Sequence, residues 1–311
     1  MAGVGAIGGW LLARLTEGGA DVTGWARGAT FSRLATGDAL VLRSKDGDWS
    51  GPVRVVDRPD RPYDLTLVCT KSTATASVAG ALVAGGVAIS VQNGLDNPRV
   101  LGAVPGWARV VPTVVYCGCV RLDPVTVRHT SNGFLVLSDA EVGGWLAAHG
   151  VRADVVDDVA PRMWTKLAAN VVQNSLTAIL DSLQGPVRDH PDLHRLQRDL
   201  CDEVRRVGVA EGVDLPADFA DVVLGGFARL PPYNGTSMLW DRRAGIPLEV
   251  DALSGAVVRR AALHHIDVPV VRTVDALVRF VSDAASGAVV QPAGPDAAAG
   301  SPGGGGARPA G

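Results

Sequence analysis

The chain has 311 residues, of which 47% are hydrophobic and 20% are charged, and its formal net charge is −3. This composition is typical of a globular protein, predicts about two domains, and excludes a strongly basic nucleic-acid-binding protein. No apolar run reaches the ~18 residues of a membrane span, and the N-terminus lacks signal-peptide features. We therefore expect a cytoplasmic protein that binds neither membrane nor nucleic acid.

The first half of the chain alternates predicted strands with predicted helices. Strand–helix alternation indicates an α/β domain built on a parallel sheet with helices on both faces. A helix of small residues, 73–86, is predicted between two of the strands. The predicted strands cover residues 21–27, 63–72, 87–94, 109–122, 126–130 and 133–139.

The segment GVGAIGG leads into the first predicted helix and predicts a dinucleotide-binding turn. Gly3 allows a tight turn, Gly5 lets the backbone approach a pyrophosphate, and Gly8 permits close helix–strand packing. Ala6 and Ile7 lie in the first turn of the helix, whose N-terminus receives the anion. A predicted strand follows at the right distance. The alternative is a glycine-rich turn that binds no ligand.

The end of the next strand favours NADPH over NADH. NAD-specific sites usually carry an acid there, about 20 residues after the glycines. Here the strand runs into Arg27, and Asp21 lies at its opposite end. An arginine suits the 2′-phosphate of NADPH through charge-assisted hydrogen bonds. The alternative is a solvated surface arginine.

The first strand of this domain is almost missing from the sequence. Only Met1 and Ala2 precede Gly3, whereas a strand should run through the centre of such a sheet before the glycines. We expect a truncated first strand. Our hypothesis is a start codon assigned too late, which an N-terminal peptide extending upstream of Met1 would support.

The periodicity becomes helical near Asp158. We predict a Rossmann-type NADP-binding domain at 1–157, an all-helical domain at 158–285 and a disordered tail at 286–311. The tail is rich in Gly, Pro and Ala and holds too little apolar surface to offset its ordering entropy. The candidate helices cover 159–181, 190–212, 217–229, 234–244, 247–264 and 271–283.

The four cysteines and six histidines show no spacing typical of a metal site, and we expect no metal. Cys117 and Cys119 would share one face of a strand. We interpret the cysteines as buried, reduced thiols. A redox or metal-binding pair is the alternative.

The segment MWTKLAANVVQNSLTAI, residues 163–179, predicts a mostly apolar helix with one polar stripe. Lys166, Asn170 and Asn174 recur every four residues and therefore share a face. Such a stripe is often a solvated face. Its position just after the predicted domain boundary favours a ligand-binding cleft instead, since ligands bind preferentially between domains.

Together these motifs resemble those of the ketopantoate reductase (2-dehydropantoate 2-reductase) family over residues 3–285. The loop QNGLDN has Asp96 where the family commonly has glycine. The missing strand and the tail are further departures. The matching segments are GVGAIGG (3–9), Arg27, CTKS (69–72), VQNGLDN (91–97), WTKLAANVVQN (164–174), TSMLWD (236–241) and PLEVDALSG (247–255).

The resemblance implies roles for the polar stripe. Lys166 matches the family's catalytic acid, while Asn170 and Asn174 match asparagines that contact the substrate. Reduction of a ketone by hydride needs a group that neutralises charge on the oxygen, and an ammonium can do so and deliver a proton. Desolvation in a closed cleft would lower the pKa of Lys166.

Further site residues follow from the same resemblance. Ser237 matches a serine that binds the substrate carboxylate, with Thr236 replacing the serine before it. Glu249 matches a glutamate at the substrate's polar end. Lys71 matches a cofactor-binding position, and Asn93 matches a position close to both cofactor and substrate.

The implied reaction is the NADPH-dependent reduction of ketopantoate to pantoate, in pantothenate and coenzyme A biosynthesis. One alternative is reduction of another 2-oxo acid on the same scaffold. The segments SMLWD and LEVD argue against a β-hydroxyacid dehydrogenase, which also uses a Lys-x-x-x-Asn helix. A third alternative is an NADPH-binding protein without turnover. The sequence leaves the oligomeric state open, with a homodimer as one possibility.

Overall fold

A mixed β-sheet forms the centre of the N-terminal half. The computed structural model describes residues 1–45, 47–228 and 230–289. Within them the strands run in the order β3-β2-β8-β7-β6-β5, with β9 beside β8, and β1 pairs with β4. The strands are β1 (Thr23–Trp25), β2 (Leu40–Ser44), β3 (Trp49–Gly51), β4 (Arg54–Val56), β5 (Leu65–Val68), β6 (Val87–Ser90), β7 (Arg109–Asp123), β8 (Thr126–Leu137) and β9 (Arg152–Val155).

Helix α1 packs on this sheet through a leucine-rich face. Leu11, Leu12 and Leu15 are fully buried, and burial of each such side chain contributes roughly 1.5–3 kcal/mol. This packing fixes the position of the glycine turn, which directly precedes α1. The helices of this half are α1 (Ala6–Glu17), α2 (Gly28–Ala35), α3 (Thr75–Ala79), α4 (Asn97–Gly102) and α5 (Ala140–Ala148).

The second residue of the chain takes the central place of a first strand. Ala2 forms parallel bridges to Trp25 on one side and Val68 on the other, and so joins β1 to β5. Its N–H donates to Leu67 O at 2.7 Å, and its carbonyl accepts from Cys69 N at 2.8 Å. The expected truncation of the first strand is therefore present as a one-residue bridge.

Two features of the sheet differ from the sequence expectation. The sheet is mixed rather than all-parallel, because β7 and β8 form a long antiparallel hairpin. The segments 126–130 and 133–139, predicted as separate strands, belong to one strand that continues through Asn132 and Gly133 at φ values of 55° and 135°. The positive φ values break the extended backbone conformation at Asn132 and Gly133. Pairing with β7 nevertheless continues on both sides of these residues, so the segment remains one strand.

Several short elements were missed because their sequences have little periodicity. Strands β2, β3, β4 and β9, helices α2, α4 and α5, and a short helix at Gln184–Asp189 were not predicted. The predicted helix 73–86 is shorter, since α3 ends before Gly80. Strands as short as three residues contain too little alternation to stand out, and pairing with neighbours creates them.

The C-terminal half is helical, as predicted. Its first helix begins at Ala160, five residues after β9 ends at Val155. Helix α6 passes through a π-helical turn, Asn170–Asn174, into α7, and a 3₁₀ turn, Val250–Ala252, precedes α12. The helices are α6 (Ala160–Ala169), α7 (Ser175–Leu180), α8 (Gln184–Asp189), α9 (Pro191–Ala210), α10 (Phe219–Phe227), α11 (Ser237–Arg243), α12 (Ser254–Leu263) and α13 (Pro269–Ala285).

Helix α9 forms the centre of the helical core. Leu200, Val204 and Val207 lie on its buried face at helical spacing and are fully buried. The domain boundary between residues 157 and 158 stays a prediction. Residues 290–311, most of the tail predicted to be disordered, lie outside the described residues. No helix in the described ranges combines the length and apolarity that a bilayer span requires.

A buried carboxylate ties α9 to the start of α13. Glu203, on α9, is 5% exposed. Its two oxygens accept hydrogen bonds from Val270 N at 3.1 Å and Val271 N at 2.8 Å. These N–H groups belong to the first turn of α13, where they have no partner within the helix. Glu203 therefore caps α13 from another helix, and its negative charge suits that end of the helix dipole.

Replacement of this cap tests its contribution to stability. We expect Glu203→Leu to lower the free energy of unfolding by about 2–4 kcal/mol, because two N–H groups lose a charged acceptor. Urea unfolding followed by circular dichroism measures the change. The exposed Glu141 serves as control, and Glu141→Gln should change stability by less than about 0.5 kcal/mol. An equal effect of both variants would contradict the capping role.

Candidate active site

The glycine turn fits a bound phosphate group. Gly3 has φ +95°, and a Cβ there would lie 2.6 Å from Thr70 Cγ2. A Cβ on Gly8 would lie 1.9 Å from Gly3 O, so these two positions require glycine for conformation and packing. Gly5 differs, since no atom lies within 4 Å of its added Cβ. The space beside Gly5 is thus open to a ligand.

The N-terminus of α1 adds anion-binding groups to this open space. Gly5 precedes the helix and supplies no side-chain cap. Ala6 and Ile7 begin the helix, so the first N–H groups have no partner within it. Unpartnered N–H groups beside an open glycine can bind a pyrophosphate. The residues present therefore fit a dinucleotide.

Arg27 lies where the sequence placed it, at the end of β1. It precedes α2, is exposed, and its Cζ lies 4.7 Å from the centroid of the Trp25 ring. Asp21, at the other end of β1, pairs with Arg54 at 2.6 Å. Within the described ranges, no carboxylate pairs with Arg27. Its guanidinium is thus available to a phosphate and stacks on the Trp25 ring.

The polar stripe passes from α6 into the π-helical turn. Lys166 lies in the last turn of α6, while Asn170 and Asn174 are the first and last residues of the π segment. In an α-helix, residues four apart are separated by slightly more than one turn of 3.6 residues, whereas in the wider π turn they are separated by slightly less than one turn. The two segments therefore rotate the stripe in opposite directions around the helix axis. The helix predicted over 159–181 is therefore present from Ala160 to Leu180, and the π turn within it keeps the stripe on one face.

Lys166 lines a cleft between the sheet and the helical half. Its Nζ lies 5.2 Å from the centroid of the Tyr116 ring, within cation–π range. Burial lowers the pKa of Lys166, and the nearby Cys117 opposes this more weakly. The cleft is lined by Gln92, Asn93, Gly94, Thr113, Val114, Val115, Met163, Lys166 and Leu167.

The two asparagines of the stripe are buried, each with 7% of its surface exposed. Asn174 Nδ2 lies 3.4 Å from Ser237 Oγ on α11, where Ser237 itself is exposed. Asn170 Nδ2 is buried without a hydrogen-bond partner among the residues that the structure describes. A buried amide donor without a partner is costly. A bound oxygen atom would satisfy it.

Glu249 connects the helical half to two loops of the sheet domain. It is 5% exposed, and its Oε1 accepts from Ser72 N at 2.7 Å and Ser72 Oγ at 2.6 Å. Its Oε2 accepts from Asn93 Nδ2 at 3.3 Å and lies 3.9 Å from Lys71 Nζ. The structure thus brings Glu249, Asn93 and Lys71 together.

Lys71 forms its shortest ion pair with an acid of α11. Its Nζ lies 2.6 Å from Asp241 Oδ2, and Asp241 is one helical turn after Ser237. Burial raises the pKa of Asp241; Lys71 opposes this shift and the nearby Glu249 adds to it. Lys71, expected near the cofactor, therefore faces two acids of the helical half.

Two residues that hold these loops were missed in the sequence. Ser72 binds Glu249, as above. Gln92 donates from Nε2 to Thr70 O at 3.0 Å and to Thr75 Oγ1 at 2.7 Å, which links the loop after β6 to the loop after β5. The signal was present, since both residues belong to the segments CTKS and VQNG. Their partners, however, become neighbours only in the folded sheet.

The cysteines are free thiols. Cys201 is buried as expected, whereas Cys69, Cys117 and Cys119 are only half-buried. The Sγ atoms of Cys117 and Cys119 are 3.2 Å apart. The hydrogen bond between them, and to a smaller extent burial, raises the pKa of Cys117. The described residues include no group of three or more His, Cys, Asp or Glu side chains placed to hold a metal ion.

Two family models match most of the chain. The model described as "Ketopantoate reductase PanE/ApbA" matches residues 1–141, and "Ketopantoate reductase PanE/ApbA C terminal" matches residues 158–282. Their junction brackets the change from sheet to helices.

Individual proteins give the same result. A 2-dehydropantoate 2-reductase of Halobacterium salinarum is 36% identical over 70% of this chain and 75% of its own. One of Caulobacter vibrioides is 30% identical over 89% of this chain and 96% of its own. The crystal structure of a PanE/ApbA family ketopantoate reductase from Ralstonia eutropha superimposes with a TM-score of 0.83 at 30% identity, covering 92% of this chain and 99% of that chain. The architecture and the sequence together establish that the chain belongs to the ketopantoate reductase family.

Proposed function

We propose that this chain reduces 2-dehydropantoate (ketopantoate) to pantoate with NADPH, and that Lys166 is the general acid. The observation that carries the proposal is the cleft lined by both Lys166 and Asn93, next to the Glu249 contacts and the asparagine stripe. Relatives at 30–36% identity named 2-dehydropantoate 2-reductase support this substrate. The pathway would be pantothenate and coenzyme A biosynthesis, in the cytoplasm; a homodimer stays a prediction.

The glycine turn and Arg27 are the proposed cofactor site. Gly3, Gly5 and Gly8, with Ala6 and Ile7, would hold the pyrophosphate, and Arg27 would pair with the 2′-phosphate. Lys71 and Asn93 lie on loops at the carboxyl ends of β5 and β6, where ligands bind in such sheets. When bound, NADPH supplies the hydride for the ketone carbon.

Lys166 would supply the proton. As negative charge develops on the ketone oxygen, the Nζ ammonium stabilises it and transfers one proton to it, so that the alkoxide becomes a hydroxyl. Burial lowers the pKa of Lys166 and thereby eases this transfer, while the Tyr116 ring favours the charged form at rest. The two effects keep an acid available in a partly desolvated cleft.

The remaining polar groups would bind and orient the substrate. Asn170 Nδ2 and Asn174 Nδ2 can donate to its oxygens, and Ser237 Oγ can donate to its carboxylate. Glu249 can accept a hydrogen bond from a substrate hydroxyl at the opposite, polar end. Asn93 joins that end through its contact with Glu249. A second 2-oxo acid could use the same carboxylate contact, so it remains the main alternative.

A substrate panel tests the proposal. Purified protein is assayed for loss of NADPH absorbance with ketopantoate, pyruvate, 2-oxoisovalerate and phenylglyoxylate, in parallel with a binding titration of NADPH. We expect the highest kcat/KM for ketopantoate. A higher value for another acid would overturn the substrate assignment, and tight NADPH binding with no turnover of any acid would favour a non-catalytic NADPH-binding protein.

Removal of the proposed acid should slow the reduction step strongly and leave the binding of NADPH unchanged. We expect Lys166→Met to lower kcat by about 10²- to 10⁴-fold, because the ketone oxygen loses its proton donor. The Kd for NADPH, measured by fluorescence, should stay within about twofold. Lys45→Met, at an exposed lysine of a loop, is the control. Unchanged kcat in Lys166→Met would refute the mechanism.

The pH dependence follows from the direction of the Lys166 pKa shift. The protonated form is the active one, so kcat should fall as the pH rises through the lowered pKa of Lys166. This loss should begin at a lower pH than the titration of a free lysine. Initial rates at saturating substrate across neutral and alkaline pH measure it. A rate that stays constant into the range of free lysine would show that Lys166 is not the acid.

Arg27 should determine the choice of nicotinamide cofactor. We expect Arg27→Ala to lower kcat/KM for NADPH about tenfold to hundredfold, because the 2′-phosphate loses a charged hydrogen-bond partner. The value for NADH, which lacks that phosphate, should change little. Arg54→Ala removes an exposed arginine of the adjacent strand β4 and is the control. An equal loss with both cofactors would contradict this role.

A further inference from the structure

Asp96 is clasped by two arginines of the opposite half of the molecule. It lies just before α4, three residues after Asn93. Its Oδ1 lies 2.6 Å from Arg260 Nη2, and its Oδ2 lies 3.1 Å from Arg259 Nη2 and 3.5 Å from Arg260 Nη1. Both arginines belong to α12. The contact therefore joins the loop that carries Asn93 to the helical half.

One of these arginines also holds the turn that follows Glu249. Arg259 Nη2 donates to Asp251 O at 2.8 Å as well as to Asp96. Asp251 lies in the 3₁₀ turn that begins directly after Glu249. A single guanidinium thus links the Asn93 loop to the Glu249 turn.

The two backbones also touch at this point. Gly94 has φ +93°, and a Cβ there would lie 2.6 Å from Ala252 O. Leu95 packs against the core of the helical half. The Asn93 loop and the turn after Glu249 are thus in direct contact at Gly94, two residues before Asp96.

The charged contact is partly shielded from solvent. The side chain of Arg260 is 16% exposed and that of Asp96 is 27% exposed, and Arg260 Nε also lies 3.3 Å from Glu211 Oε2. Burial pushes the pKa of Asp96 upward, but hydrogen bonds and charges from Arg260 and Arg259 outweigh it and keep the pKa below its usual range. The carboxylate is charged, paired and held by two donors, which distinguishes it from an exposed surface pair.

We propose that Asp96 is a positioning residue, which through Arg259 and Arg260 holds the Asn93 loop against the Glu249 turn and so keeps Asn93 and Glu249 together at the polar end of the cleft. The consequence for turnover rests on the proposed function. Asp96 lies away from the reacting atoms and acts on substrate binding through Asn93. Its loss therefore affects KM for the 2-oxo acid more than kcat.

The first test compares two Asp→Asn variants. Asp96→Asn should raise KM for ketopantoate about tenfold, the effect of about 1.4 kcal/mol, with kcat and the Kd for NADPH within about threefold. Asp221→Asn removes an Arg–Asp pair of 2.5 Å that lies wholly within the helical half, between α9 and α10, and should leave KM unchanged. Equal KM values in Asp96→Asn and the wild type would overturn the inference.

A double-mutant cycle tests the route of the effect. If Asp96 acts partly through Arg260, Asp96→Asn combined with Arg260→Gln should raise KM by less than the product of the two single effects, because only the Arg259 contact then remains to be lost. Restoration of the carboxylate in Asp96→Glu should recover part of the lost affinity. Fully additive effects of the two substitutions, without recovery in Asp96→Glu, would show that Asp96 does not act through this contact.

Hydrogen exchange tests the contact of Asp96 with Arg259 and Arg260, here called the clamp, without any turnover. Backbone amides of residues 93–102 should exchange about tenfold faster in Asp96→Asn than in the wild type, with α1 unchanged as internal reference. This result would stand even if the wild type reduced no 2-oxo acid, in which case only the proposed function fails. Unchanged exchange in residues 93–102 overturns the clamp, whatever the activity.

Discussion

The burial of the Glu249 carboxylate is the constraint on which the meeting of the two halves depends. A buried charge is tolerated only when it is paired and hydrogen-bonded. Here the donors come from the sheet domain: the N–H and hydroxyl of Ser72 and the amide of Asn93. The helical half must therefore dock so that Glu249 reaches the loops after β5 and β6. That docking creates the cleft beside Lys166.

The two lysines of the candidate site have different electrostatic surroundings. Lys71 lies next to two acidic side chains, since it pairs with Asp241 and lies near Glu249. Lys166 instead faces the Tyr116 ring and forms no ion pair within the described residues. The ammonium of Lys166 is thus desolvated without a carboxylate to stabilise it, and its pKa is lowered. A lysine in that state is suited to give up a proton, which is the role proposed for it.

The sequence predicted much of the site, because its key spacings are local. The turn from Gly3 to Gly8 and the stripe from Lys166 to Asn174 each lie on one short segment, where backbone geometry relates the residues directly. It did not predict the π turn that keeps Asn174 in line, the pairing of Lys71 with Asp241, or the part of Ser72 in holding Glu249. Their roles in catalysis remain proposals.

By itself, the sequence determined the α/β and helical halves, the glycine turn and the membership suggested by its motifs. The two halves and the glycine turn depend on periodicity and spacing along the chain, and the membership depends on the motifs that resemble those of the family. Only the tertiary structure decided which loops meet. Ser72 and Glu249 are 177 residues apart, and Asp96 and Arg260 are 164 apart. Contacts at such separations depend on how the sheet and the helices pack, and no local pattern encodes them.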